Sequence, residues 1–167
     1  IDKLKKCKYI NCKNNQLPSL TIVLKKIIDD KKIFEENINM YPNCEYLYCS
    51  NNKINKLPSL YKCKILEASS NSLSHLPYLP NAKKVIVNNN YIKIIPPLPN
   101  CKELDCSNNN LVELPYIPSC EKLYCNNNPD LYYTELSANR FDLPYPSPGY
   151  KKKTKHIYES FLNDVKE

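Results

Sequence analysis

The stretch Cys101–Leu111, CKELDCSNNNL, decides the fold because it recurs along the chain. Written C-x-x-L-x-C-x-x-N-x-L, it returns as CKYINCKNNQL from Cys7, CEYLYCSNNKI from Cys44 and CKILEASSNSL from Cys63. It returns again as AKKVIVNNNYI from Ala82 and CEKLYCNNNPD from Cys120. Openings at 44, 63, 82, 101 and 120 make the step 19 residues. A fixed period near 20 marks a repeat architecture, in which no unit can bury its apolar side alone.

Numbered from its opening residue, each unit places apolar residues or Cys at positions 1, 4 and 6, and all but the last, where Asp130 pushes Leu131 one place late, do so at position 11. Positions 4 and 6 alternate with polar or exposed types, the period of a short strand. Such a strand is marginal alone, but stacked coil on coil it forms a parallel sheet. Position 9 is Asn in all six units: Asn15, Asn52, Asn71, Asn90, Asn109 and Asn128. Compositional bias cannot hold Asn at one register six times. A buried amide there can accept from one coil's N–H and donate to the next coil's C=O, satisfying groups a bend would orphan. The remaining Asn residues read as bias.

The other half of each unit is as regular: LPSLYK before Cys63, LPYLPN before Ala82, IPPLPN before Cys101 and LPYIPS before Cys120. Proline at this density excludes a helix and favours extended or polyproline-II chain. Its apolar pairs are Leu57/Leu60, Leu76/Leu79, Ile95/Leu98 and Leu114/Ile117.

These residues resemble leucine-rich repeats, LxxLxLxxNxL with an LPxLP return segment. The LPxLP form is similar to the short repeats of bacterial effectors. Cys at positions 1 and 6, the SNN turn and the Lys/Asn/Ile/Tyr bias resemble more closely the leucine-rich-repeat proteins of giant DNA viruses. The segment Asn128–Tyr150 resembles the closing segment of those viral proteins. The resemblance implies a protein-interaction scaffold and no chemistry. The fold expected is an α/β repeat solenoid dominated by short parallel β-strands, a curved right-handed coil with an extended convex side and a C-terminal helical cap. The solenoid is expected over residues 1–131, with units opening at 7, a degenerate one near 25, then 44, 63, 82, 101 and 120. The cap is expected over 132–167.

The 167 residues fit one domain. No apolar run reaches the 18 or so residues that span a membrane, and no secretory signal is visible. All nine Cys fall on core positions. Their number is odd, and a zinc site needs four converging ligands. They therefore read as small buried hydrophobes, with no metal and no cofactor expected. Many unpaired thiols favour a reducing, intracellular compartment, host cytoplasm or virion if the protein is viral.

Taken in order, Ile1 and Leu4 occupy the apolar positions of a return segment, so the chain begins mid-repeat and more sequence is expected upstream. Between Leu17 and Cys44 the pattern degrades. Cys7 to Cys44 is 37 residues, one short of two periods, so residues 18–41 are expected to be a degenerate coil opening at Lys25, with a short helix as the alternative. Thr134 is placed to cap a helix through Arg140, with Leu136 and Phe141 covering the last coil. Leu143–Gly149 reads as an extended linker. Ile157, Phe161 and Val165 form one helical stripe beyond it.

With positions 4 and 6 buried, positions 3 and 5 face outward. They are Tyr9/Asn11, Tyr46/Tyr48, Ile65/Glu67, Lys84/Ile86, Glu103/Asp105 and Lys122/Tyr124. Exposed Tyr beside apolar residues on a rigid face is what interface cores use, so an unknown protein ligand is expected there, bound by a monomer. The net charge of +7 raises a nucleic-acid or anionic-surface binder as an alternative, but Glu67, Glu103 and Asp105 break any basic groove. A third class, an enzyme, lacks a nucleophile–base pair, a metal spacing or a glycine-rich phosphate loop. A fourth possibility is an adaptor within a larger protein.

Overall fold

Each repeat strand is three residues long because only its middle residue has a partner surface to reach. In the computed structural model, which describes residues 6–20, 23–28, 32–37 and 41–149, the strands are β1 (Tyr9–Asn11), β2 (Val23–Ile28), β3 (Lys32–Asn37), β4 (Tyr46–Tyr48), β5 (Ile65–Glu67), β6 (Lys84–Ile86), β7 (Glu103–Asp105) and β8 (Lys122–Tyr124). One helix follows, α1 (Glu135–Phe141). Six strands form one parallel sheet in the order β1-β4-β5-β6-β7-β8. Register is strict: Leu47 faces Leu66, Leu66 faces Val85, Val85 faces Leu104 and Leu104 faces Leu123. The protein is thus a repeat solenoid dominated by short parallel β-strands.

The core is three apolar columns running through the coils. Position 4 supplies Leu47, Leu66, Val85 and Leu104. Position 11 supplies Ile54, Leu73, Ile92 and Leu111. The return segments supply Leu60, Leu79 and Leu98, and all of these are essentially inaccessible. Each such side chain contributes about 1.5–3 kcal/mol of burial, so stability accumulates coil by coil. The proline-rich returns have neither helix nor strand. Each ends in a tight turn: Cys63 N–H donates to Leu60 O, Ala82 to Leu79, Cys101 to Leu98 and Cys120 to Ile117, at 3.0–3.2 Å.

The position-9 asparagines form the expected ladder, with one refinement. Both inter-coil bonds go to the preceding coil. Asn71 Oδ1 accepts from Ile54 N–H (3.0 Å), and its Nδ2 donates to Cys49 O (3.0 Å) as well as to Ala68 O and Ser69 O of its own coil. Asn52, Asn90, Asn109 and Asn128 repeat the pattern. Asn15, in the first described coil, is exposed, and among the described residues it donates only to Cys12 O and Lys13 O.

Position 8 is not compositional bias. Asn14, Asn51, Ser70, Asn89, Asn108 and Asn127 all have positive φ, between 52° and 60°. The left-handed region costs most side chains, and Asn enters it more readily than others. In a chain with a single glycine, Asn takes the role glycine would have in the turn leaving each strand.

The degenerate coil expected at Lys25 does not form, nor does a helix. β1 pairs directly with β4, Tyr9 facing Tyr46, so the units opening at Cys7 and Cys44 are consecutive coils. The excess sequence between them carries β2 and β3, an antiparallel pair in which Val23 faces Asn37 and Ile28 faces Lys32. The near-match to two periods was coincidental. Val23, Ile27, Ile28 and Ile33 favour strand over helix, and a short link permits antiparallel pairing. Among the described residues the solenoid therefore has six coils and an inserted hairpin.

At the other end, α1 starts where expected, with Thr134 Oγ1 accepting from Ser137 N–H. Its docking differs in part from expectation. Phe141 packs against the core as expected, but Leu136 is 81% exposed, and Ala138, three residues before Phe141, takes its place. Arg140 fixes the contact by donating to the carbonyls of Ile117, Pro118 and Cys120 while its guanidinium lies 4.5 Å from the Phe141 ring. The 143–149 segment folds back rather than running free. Tyr133 Oη donates to Pro144 O (2.6 Å), and Gly149 N–H donates to Leu131 O (2.8 Å). A Cβ on Gly149 would sit 2.1 Å from Asp130 O, so the close approach requires glycine. The apolar positions Ile1 and Leu4 and the stripe Ile157, Phe161 and Val165 lie outside the described residues.

Candidate functional site

The strands expose the residues flanking each buried centre, as period 2 requires. Tyr46, Tyr48, Ile65, Glu67, Lys84, Ile86, Glu103 and Asp105 are half-buried, and Tyr9, Lys122 and Tyr124 are exposed. Parallel register brings them into two columns. Tyr9, Tyr46, Ile65, Lys84, Glu103 and Lys122 form one, and Asn11, Tyr48, Glu67, Ile86, Asp105 and Tyr124 the other.

The columns are chemically graded along the sheet. At the β1–β4 end three tyrosines gather. The Tyr9 ring lies 6.4 Å from Tyr46 beside it and 5.3 Å from Tyr48 on the diagonal, both tilted. These are the cross-strand neighbours that interact on one face. Lys13 completes the cluster, its Nζ 5.0 Å from the centre of the Tyr48 ring and 2.5 Å from Glu67 Oε2. Toward β7 and β8 the face becomes polar. Lys84 Nζ lies 3.2 Å from Glu103 Oε1. Asp105 accepts from Asn88 Nδ2 (2.6 Å), from Ser107 Oγ (2.7 Å) and from Ser107 N–H (3.1 Å).

Position 2 borders the face with a further column. Glu45 bridges Lys64 (2.6 Å) and Lys8 (3.3 Å), and Glu121 meets Lys102 (2.7 Å). Hydrogen bonds from Lys64 and then Lys8 hold the Glu45 carboxyl below its usual range, and Lys102 does the same for Glu121. The Glu45 carboxylate in turn raises Lys64. Such exposed pairs contribute little to stability, and Glu45 and Glu121 offset only part of the charge of the border lysines Lys8, Lys64, Lys83 and Lys102. The ring and carboxylate partners of Lys13 were not legible in the sequence, because they come from coils two and three.

All nine cysteines are described and none is in a disulfide. Burial pushes the thiols of Cys44 and Cys125 up to about 11 and those of Cys63 and Cys101 up to about 12. It drives Cys49 and Cys106 higher still. Their thiolates are scarce at neutral pH, where they pack as small hydrophobes. Among the described residues no cluster of three or more His, Cys, Asp or Glu side chains could hold a metal ion, and no helix is long and apolar enough to cross a membrane.

Compared with models of known protein families, with curated proteins and with solved structures, the chain matches none.

Proposed function

We propose that this protein is a non-catalytic scaffold of the leucine-rich-repeat kind that binds a protein partner across the exposed face of its six-stranded sheet. The observation that carries this is the pair of in-register columns, with Tyr9, Tyr46 and Tyr48 clustered at one end and mixed charges at the other. Amphipathic aromatic rings held rigidly on a repeat surface supply contact area at low entropic cost. The flanking charges set orientation and partner choice. Glu67, Glu103 and Asp105 within the columns support a protein partner over a polyanion, since a phosphate backbone needs uncompensated cations. Nine unbridged thiols support a reducing compartment. The sequence resemblance to leucine-rich repeats, those of giant DNA viruses included, supports the same role.

The test is a crosslinking pull-down from cell lysate at moderate salt with three proteins. These are the wild type, a face variant (Tyr46→Ala, Tyr48→Ala, Lys84→Glu, Tyr124→Ala) and a return-side variant (Tyr78→Ala, Tyr116→Ala). A partner lost by the face variant and kept by the return-side variant supports the proposal. Loss confined to the return-side variant overturns it. Steep loss of binding with salt in the wild type would favour a polyanion instead.

A further inference from the structure

The repeat stacks cysteines as well as leucines. Asn11 faces Tyr48 across the first coil boundary, so the residues that follow, Cys12 and Cys49, lie side by side. The bond from Cys12 N–H to Tyr48 O, 2.8 Å, holds that register. Neighbouring parallel strands run about 4.8 Å apart, within the roughly 4.4–6.8 Å between Cα atoms that a disulfide spans. Cys106 and Cys125 are related in the same way across the β7–β8 boundary, through the bond from Cys106 N–H to Tyr124 O.

Access separates the two pairs. Cys106 and Cys125 are both buried, whereas Cys12 is only half-buried. Packing does not demand a thiol at this position. Ala68 and Val87 occupy it in the third and fourth coils, fully buried.

We propose that Cys12 and Cys49 form a reversible disulfide that staples the first coil to the second when a small-molecule disulfide reaches Cys12. The Cys12 thiol gives its proton to solvent and attacks one sulfur of that disulfide, expelling one thiolate and leaving a mixed disulfide. Cys49 then loses its proton and attacks Cys12 Sγ, expelling the second thiolate. One small disulfide is reduced to two thiols while two cysteines are oxidised to one bridge. The bridge spans the inserted β2–β3 hairpin, so it fixes the coil whose sequence connection to the rest is longest. Burial raises the Cys12 thiol, so the reaction accelerates as pH rises.

The experiment treats the full chain under native conditions with glutathione disulfide at mildly alkaline pH. Remaining thiols are blocked, and the chain is digested with trypsin without reduction. The expected product joins the Tyr9–Lys13 peptide to the Ile33–Lys53 peptide, with fragmentation between Glu45 and Tyr48 placing the bond on Cys49 rather than Cys44. It disappears on adding a thiol reductant. The bridged chain melts several degrees above the reduced chain. Cys49→Ala, which copies Ala68 and is checked for folding by circular dichroism, stops the reaction at the mixed disulfide on Cys12. The proposal is overturned if the wild type also stops there, or if Cys12 joins Cys7, Cys44 or a second molecule. It is equally overturned if Cys106 and Cys125 bridge as fast as Cys12 and Cys49.

Discussion

Asn90 tests the ladder most directly. Its Oδ1 accepts from the Leu73 N–H (3.0 Å), and its Nδ2 donates to Ala68 O and Val87 O (3.0 Å each) and to Asn88 O (3.2 Å). Leu73 is inaccessible and Asn90 is 6% exposed, so water does not replace the lost partners in Asn90→Ala. Stranding one buried N–H costs about 1–3 kcal/mol. The two best-aligned carbonyls add about 1 kcal/mol each. The sum is about 3–5 kcal/mol, a large share of the roughly 5–15 kcal/mol that stabilises a typical domain. Asn15→Ala is the control. Among the described residues, the same residue type at the same position bonds only within its own coil and is exposed, so it costs about 0.5–1 kcal/mol. Urea unfolding followed by circular dichroism reads both through the midpoint at constant slope. Asn90→Asp adds a signature that a simple cavity lacks. A carboxylate facing three carbonyls is destabilised, its folded pKa rises, and the variant regains stability as pH falls toward protonation. Equal midpoint shifts for Asn90→Ala and Asn15→Ala would refute the ladder as an energetic device.

Alkaline pH tests the thiol core. Cys49, Cys63, Cys101 and Cys106 are inaccessible and their thiols are raised to about 12 or beyond. Their stabilisation is full below the unfolded value of about 8.5 and is lost as pH climbs toward the folded values. Together they cost about 5 kcal/mol between roughly pH 7.5 and 9.5, and Cys106→Val, which copies Val87, removes about a quarter of that. A urea midpoint flat across this range would contradict it. Gly149→Ala drives a Cβ into Asp130 O and is expected to cost about 1–3 kcal/mol, read as a lower melting temperature. A change within about 0.5 kcal/mol would show that the close approach is not needed. Ser147 Oγ is buried with no hydrogen-bond partner among the described residues, so Ser147→Ala is expected to be neutral or to stabilise by about 1 kcal/mol. A clear loss of stability would mean the hydroxyl has a partner. Deleting residues 22–39 restores the 19-residue spacing between the first two openings. The shortened chain is expected to keep its strand signal and cooperative melting, and collapse of either would make the hairpin part of the core.

The period of 19, the parallel strands, the buried columns and the position-9 Asn were all legible in the sequence, because identical units impose identical environments. A residue that recurs at one register in every coil reports its own surroundings. The outward columns followed from the same arithmetic, since burial of position 4 forces positions 3 and 5 out. The positive φ of position 8 was readable from Asn at five of six places, but abundance of Asn elsewhere hid it.

What failed were segments without a repeat to compare against. The inserted β2–β3 hairpin matched one short of two periods in length, and only the direct pairing of Tyr9 with Tyr46 showed that the Cys7 and Cys44 coils are neighbours. The cap helix was placed correctly, but Ala138 and Phe141 cover the last coil and Leu136 does not. The sequence alone determined this protein's coil, because a short strand, a turn and a proline-rich return are local choices repeated until they reinforce one another. Only the tertiary structure decided which coils touch, which lysine finds which carboxylate and ring, and how the last coil is closed. Those contacts join residues tens of positions apart, and no local propensity specifies them.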